Sequence, residues 1–412
     1  MKILHLSHSD NSGGAAKAAF RIHQCILKSG HESTMWVTRS ERLDPSIYAP
    51  KGYLFNLKTQ IRSEASRLLC RKQIRKTGVF HSLSIFPSAW PQLINASDAD
   101  IVNLHWINAE MLSIKDISKI KKPVVWTLHD MWAFSGAEHL SFDERWREGY
   151  VSKRNGALRW DWNRSVWKRK NRHWKKPLHI VIPSTWMSGC VSKSPLMDGW
   201  PRKVIPNCLD TKFWQSFDKD SARQLLQLPL DKPLLCFGSF GENDSFHKGA
   251  DLLQAALEKL EHRIPELEIV VFGNSITKER LGTNIPTHDL GQLKDEYSMR
   301  ALYTASDAIA VPSRNESFGQ VASEAMACSR PVICFDTCGL KDIVDHKVNG
   351  YLARSFDTSD FAKGILWVLC NKNTASLSLA ARNKVQKQFS EKIVAQQYLD
   401  TYRDAIELAS SE

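Results

Sequence analysis

The sequence predicts an α/β protein of two doubly wound, Rossmann-like domains facing a central cleft, and three observations carry that prediction. Short, uninterrupted apolar runs alternate with stretches of helical periodicity, which is the pattern of parallel strands covered on both faces. The alternation runs through twice, once before and once after Val204-Ile205-Pro206-Asn207, so two such domains are implied. At 412 residues the chain is also long enough for two or three cores.

In the first series Ile3-Leu4-His5-Leu6 reads as a strand, Gly13-Gly14 as a loop, and residues 15–28 as a helix closed by Ser29-Gly30. Residues 33–37, 101–104, 123–128 and 179–182 read as further strands. The second series runs strand 234–237, helix 249–261, strand 267–272, helix 297–304, strand 308–311, helix 318–328 and strand 332–335. A last helical stretch of about 374–408 is long enough to return to the first domain. The expected boundaries are 1–205 and 206–389, with a C-terminal helix of about 390–412 packing back on the first domain.

Composition narrows the class. With 42% hydrophobic and 24% charged residues the chain reads as soluble and globular, and no uncharged apolar run approaches the roughly 20 residues of a membrane span. The first strand breaks too early for a secretory signal, so a cytoplasmic place is expected. Nine cysteines without a CxxC pair argue against a disulfide framework and a zinc site. Residues 1–200 hold 31 Lys and Arg against 16 Asp and Glu, and twelve of the fourteen tryptophans; that mixture suits a membrane interface, a glycan or a nucleic acid. Two basic segments stand out, 57–76 and the Trp-rich 159–176. Either could lie on an anionic membrane face, or its apolar side chains could be core beneath a solvated charged face. A nucleic-acid partner is not expected, because no nucleic-acid module accompanies the charge.

The chemistry concentrates in Pro312-Ser313-Arg314-Asn315-Glu316-Ser317-Phe318-Gly319-Gln320, continuing to Glu324. An apolar run precedes it and a helix-compatible one follows, so it forms a strand–loop–helix turn at the edge where open α/β sheets bind ligands. Glu316 can accept hydrogen bonds from sugar hydroxyls, and Glu324, about two helical turns on, can reach a ribose diol. Between them the backbone N–H groups of Ser317, Phe318 and Gly319 open the helix, where unpaired donors and the helix dipole favour a phosphate. The pattern points to a nucleotide-activated sugar.

Glu316 and Glu324, the loop Gly13-Gly14-Ala15, Thr127-Leu128-His129-Asp130, the hinge-like segment from Ile205 to Asp210 and His247-Lys248-Gly249 stand in the order seen in retaining glycosyltransferases of family 4, which the whole chain resembles. Their two-domain architecture is GT-B. The opening Asn11-Ser12-Gly13-Gly14 and Leu128-His129-Asp130-Met131-Trp132 resemble the branch found in bacterial polysaccharide and lipopolysaccharide gene clusters. The resemblance implies that Glu316 holds donor-sugar hydroxyls, Glu324 the ribose and Lys248 the diphosphate. It also implies that the Gly13-Gly14 turn closes on the same phosphates and that His129 sits beside the reacting sugar. Asp130 orients His129 or meets the acceptor hydroxyl. Where the family often carries an arginine a few residues before the Lys-Gly pair, this chain has Ser239, which shifts diphosphate binding towards Lys248, Ser239 and backbone N–H groups.

What the resemblance implies for the reaction is a metal-independent hexosyl transfer with retention, in which the leaving phosphate accepts the acceptor's proton. The donor is a nucleotide-diphosphate sugar, with no other cofactor, and the acceptor is a glycan or lipid-linked glycan at the inner face of the cytoplasmic membrane. The alternatives are a non-catalytic, membrane-associated partner of a polysaccharide assembly complex, and a nucleotide-sugar epimerase of the same fold.

Overall fold

The computed structural model describes residues 1–412 apart from 51, 142–143, 153–159, 239–244, 261–262, 274–280 and 412. The chain divides into two compact units, Met1–Cys208 with Lys392–Glu412, and Leu209–Glu391.

The strands of the first unit are β1 (Lys2–Ser9), β2 (Glu32–Arg39), β3 (Ile47–Tyr48), β4 (Ile101–Leu104), β5 (Val124–Thr127), β6 (His179–Ile182) and β7 (Arg202–Val204). They form one sheet in the order β3-β2-β1-β4-β5-β6-β7, every pairing parallel. Side chains alternate across the pleat, so Ile3, Ile101, Val125 and Val181 share one face. There they meet Ile22 and Ile26 of the helix Gly13–Lys28 and Val394, Tyr398, Leu399 and Tyr402 of the last helix, Glu391–Ser411. Leu4, Val102, Trp126 and Ile180 face the other way, onto a core rich in tryptophan that includes Trp90, Trp132, Trp174 and Trp200.

That core absorbs most of the aromatic signal. In the segment 159–176, which contains the helix Trp162–His173, Trp174 is buried and Trp162 and Trp167 pack against the core, leaving Trp160 exposed at 60%. Lys170 of this helix is fully buried. The other basic segment behaves differently: the helix Tyr53–Thr77 turns Leu57, Ile61, Leu68 and Leu69 to solvent. Among the described residues no helix is long and apolar enough to cross a membrane.

The second unit holds β8 (Leu234–Gly238), β9 (Glu268–Phe272), β10 (Thr287–Asp289), β11 (Ala308–Val311), β12 (Val332–Phe335) and β13 (Gly350–Ala353). Their order is β10-β9-β8-β11-β12-β13, again all parallel. Ile269, Val271, Ala308, Ala310, Ile333 and Phe335 pack against Leu253 and Leu257 of the helix Ala250–Glu258 and Phe361 and Ile365 of the helix Thr358–Leu369. In each sheet the chain builds outwards from one central strand, β1 or β8, then crosses back to continue on its other side at β4 or β11. The crevice beyond the strand ends at such a reversal is where doubly wound sheets take ligands.

Candidate functional site

Both reversal points are lined by chemically active side chains. In the second unit Lys248 ends the short helix Ser245–Lys248 that follows β8, and Glu316 lies in the loop that follows β11. Lys248 Nζ donates to Glu316 Oε1 at 2.6 Å, and Ser313 Oγ donates to the same oxygen at 3.1 Å. The Glu316 backbone is fixed as well: its N–H reaches Cys338 Sγ at 3.2 Å and its carbonyl accepts from the Gly339 N–H at 2.9 Å.

The two loops are stapled together beside this pair. Arg314 forms a forked ion pair with Asp251, at 2.7 and 2.6 Å, while also donating to the Phe246 carbonyl at 2.7 Å. Its backbone N–H meets the His247 carbonyl at 2.8 Å. The Arg314 bonds hold the Asp251 carboxyl below the usual carboxylate range. Gly249 permits the contact, since it has a φ of +71° and an added Cβ would lie 2.1 Å from the Pro312 carbonyl oxygen.

Gly319 is the residue before the helix Gln320–Ala327, so Ser317 and Phe318 lie in the loop ahead of the helix and do not open it as expected. Its φ of +117°, and the Leu340 side chain 2.7 Å from where a Cβ would stand, give this position reasons of its own to be glycine besides the approach of a ligand. Phe318 is buried against Phe389, with ring centroids 5.3 Å apart, so only its backbone can serve a ligand. Glu324 is 6% exposed and accepts from the Tyr303 hydroxyl at 3.1 Å, which excludes a solvated surface carboxylate. Tyr303 and the Arg314–Asp251 staple carry no local sequence signal. Ser239 lies outside the described residues.

In the first unit, buried Ser9 directs the chain out of β1: its Oγ accepts the N–H groups of Asn11 at 3.2 Å and Ser12 at 3.0 Å, just before Gly13 and Gly14 begin their helix. Asp10, fully buried, accepts from Ser40 and from the N–H groups of Glu41 and Arg42, tying β1 to the chain beyond β2. Beyond β4 and β5 stand His105 and His129. His129 Nε2 lies 3.1 Å from His105 Nδ1, and His105 Nε2 lies 2.9 Å from His5 Nδ1 on β1.

Asp130 does not orient His129, contrary to one of the two roles expected of it. Its Oδ2 accepts from Trp106 Nε1 at 2.9 Å and pairs with His139 Nδ1 at 2.5 Å, and its Oδ1 takes the Trp132 N–H at 2.9 Å. Burial pushes the Asp130 pKa up, but the charge and hydrogen bond of His139, with the two N–H donors, outweigh it and hold the carboxyl below its ordinary value. His139 Nε2 in turn meets Ser82 Oγ at 2.8 Å. The order Ser82–His139–Asp130 is that of a hydrolase triad, yet Ser82 is 3% exposed, so no substrate carbon can reach its oxygen. The set holds the loop after β5 in place. Lys170 does the same from beneath, donating to the carbonyls of Trp132, Ser135 and Gly136, with its pKa pushed well below the ordinary lysine value by burial.

The buried imidazoles set an acid limit on stability. Burial pushes His23 and His129 down to about 4, whereas an unfolded chain titrates near 6.5. As pH falls through that interval the unfolded state binds more protons than the folded one. Stability is therefore complete above about pH 6.5 and is lost below it, by about 3 kcal/mol for fully buried His23 alone. The urea midpoint should drop steeply between about pH 6.5 and 4.5; a flat midpoint across that window would mean that these rings accept protons inside the fold.

Among the described residues no three His, Cys, Asp or Glu side chains converge to hold a metal ion. The second unit thus carries a cation and a carboxylate at its strand ends, and the first unit carries imidazoles at its own. The pattern described as Glycosyltransferase Family 4 matches residues 12–213, and that described as Glycosyl transferases group 1 matches residues 218–388. The chain belongs to the family 4 glycosyltransferases. A D-inositol 3-phosphate glycosyltransferase of Xylanimonas cellulosilytica is 31% identical to this chain over 197 residues, 45% of this chain and 46% of that protein. The chain thus spans about half the length of the curated relatives it matches. The solved structure of HepE from Anabaena with UDP and glucose shares the fold at a TM-score of 0.65 and 19% identity, covering 98% of this chain and 100% of that one. WaaG, a glycosyltransferase involved in lipopolysaccharide biosynthesis, matches at a TM-score of 0.62 and 14% identity, over 96% of this chain and 98% of that one.

Proposed function

We propose that this glycosyltransferase moves a hexosyl group from a nucleoside-diphosphate sugar to a hydroxyl of a glycan or lipid-linked glycan, with retention at the anomeric carbon and without a metal, in building a cell-surface polysaccharide. The observation that carries the reading is the Lys248–Glu316 pair at the β8/β11 reversal, beside the start of the helix that bears Glu324. Departure of the diphosphate places negative charge on its oxygens and positive charge on the sugar. Lys248 and the N–H groups of residues 317–319 meet the first, with the backbone of Gly13 and Gly14 at the start of their helix as a further contact; Glu316 binds the sugar hydroxyls and Glu324 the ribose. His129 stands beside the sugar. No side-chain nucleophile is assigned, so the departing phosphate oxygen takes the acceptor's proton as the new glycosidic bond forms on the same face.

The exposed Leu57, Ile61, Leu68 and Leu69, interspersed with Lys58, Arg62, Arg71 and Lys72 on the helix Tyr53–Thr77, favour an acceptor held at an anionic membrane surface. HepE, solved with UDP and glucose, supports a nucleotide-sugar donor.

Thermal stability against UDP, GDP, ADP, CMP and dTDP, with and without EDTA, tests the donor half of this reading. One diphosphate at a hundredfold its Kd should stabilise the protein by about 2.7 kcal/mol, a rise of roughly 5–10 °C for a unit of this size. The rise should survive EDTA and vanish in Glu324→Ala. No rise with any of the five in folded protein would favour a catalytically silent partner. Sedimentation with and without anionic vesicles tests the membrane half in the same sample.

A further inference from the structure

Three neighbouring strands of the first sheet bring His5, His105 and His129 into a row. Their rings are nearly parallel, inclined by 18° and 26°, with centroids 5.2 and 5.3 Å apart, and they are joined by the two N···N contacts of 2.9 and 3.1 Å. His5 and His105 are buried and His129 half-buried. Burial keeps all three neutral, with His129 pushed down to about 4 and the other two well below their ordinary value.

A neutral imidazole has one N–H and one lone pair. Each contact needs one of each, so the protons in the row are not independent. If His105 carries its proton on Nδ1, then His5 and His129 must do so too; if it carries it on Nε2, so must they. Any mixture sets two protons or two lone pairs against each other. The inner end of the row decides between the two arrangements. His5 Nε2 is buried and, among the described residues, has no hydrogen-bond partner. Neither of the other two rings that approach His5 makes a hydrogen bond to this nitrogen: both His23 nitrogens are engaged, by Ser33 and Ser46 at 2.7 and 2.8 Å, and the Tyr402 hydroxyl takes the Asn103 amide at 2.6 Å. Protons on Nε2 would therefore bury an orphan N–H, which folded proteins avoid more strictly than an orphan acceptor. Protons on Nδ1 leave only a lone pair there.

We propose that His5 and His105 are positioning residues that lock His129 in its neutral Nδ1–H form, so that it presents a hydrogen-bond donor, and never a base, to an oxygen of the sugar undergoing transfer. The lock follows from the row itself; the presentation to substrate rests on the placement of His129 at the sugar made above. His129 then adds a fixed dipole to the site and cannot remove the acceptor's proton, which leaves that proton to the departing phosphate.

Two-bond 1H–15N correlation of 15N-histidine-labelled protein at pH 7 reads the proton positions directly. The expected result is neutral rings with the proton on Nδ1 at His105 and His129; a proton on Nε2 at either, or a cationic ring, overturns the lock. In His105→Phe, which removes the donor, the His129 proton should redistribute towards Nε2 and kcat should fall about tenfold, the weight of one ordinary hydrogen bond. His105→Gln, whose amide can donate to the same nitrogen, should restore most of both. An unchanged His129 tautomer in His105→Phe would sink the proposal. A His129→Ala variant that transfers sugar at the wild-type rate would instead overturn the placement of His129 at the substrate, and the proton positions measured in the wild type separate that failure from the first.

Discussion

Replacing Lys248 with alanine should lower sugar transfer by about 10²–10³-fold while leaving the protein folded. Preorganised groups that meet charge developing in a transition state are worth that much when removed singly, and Lys248 is anchored for the task. It ends the turn after β8, its ammonium is held on Glu316 Oε1 at 2.6 Å, and that turn is fastened to the β11 loop by Arg314. The loss should fall on kcat/KM for the donor and persist in saturating acceptor. Stability should move little, because the Lys248 and Glu316 side chains keep 29% and 18% of their surface in solvent, and water screens much of what such a pair contributes. Glu316→Gln separates the two halves of the pair: it preserves the hydrogen-bonding shape, frees Lys248 of its counter-charge, and should also abolish most transfer. Steady-state kinetics of both variants, with circular dichroism to confirm folding, would decide; near-wild-type turnover in either removes the pair from the mechanism.

Gly249→Val should damage the second unit severely, costing about 3–5 kcal/mol. Two independent reasons act at this position. Its φ of +71° lies in the left-handed region that β-branched residues adopt only under strain, and a Cβ would stand 2.1 Å from the Pro312 carbonyl oxygen. The obstacle is backbone, not the end of a flexible chain, so relief requires Pro312 and the loop carrying Glu316 to move. Transfer should therefore fall together with stability. Gly291→Ala is the control: its φ is +59°, but nothing among the described residues lies within 4 Å of the added atom, so only the conformational cost of about 1 kcal/mol applies. Calorimetric unfolding of the two variants should show the first lowered by roughly 10 °C and the second by a few degrees. Equal shifts would mean that the Pro312 contact carries no weight.

Interior strands such as β11 and β12 are visible as apolar runs because both of their faces are covered, so each residue is apolar whichever way it points, whereas β2, exposed on one face, shows alternation instead. β3, β7, β10 and β13 carry no such run that a reading of the sequence would single out, and these are the four outermost strands of the two sheets. Thr287-His288-Asp289 and Arg202-Lys203-Val204 are short and largely polar, and an edge strand has a neighbour on one side only, so hydrophobic periodicity does not mark it. Among the site residues, Glu316, Glu324 and the N–H groups between them are legible because one turn and one helix start place them. Lys248 is singled out only by the resemblance, through the order in which His247-Lys248-Gly249 stands.

What the linear order determines by itself, then, is the α/β class, the doubled strand–helix alternation and the carboxylate-bearing turn, all consequences of contacts between residues a few positions apart. Only the tertiary structure decides which groups meet across the sheets. It pairs Lys248 with Glu316 across 68 positions, turns Asp130 to His139 instead of His129, buries Lys170 under the loop it supports, and aligns His5, His105 and His129 into one row. The reason is physical: parallel strands adjacent in the sheet are separated by whole crossover helices in the chain, so the side chains at their ends become neighbours without leaving any periodic trace in the sequence.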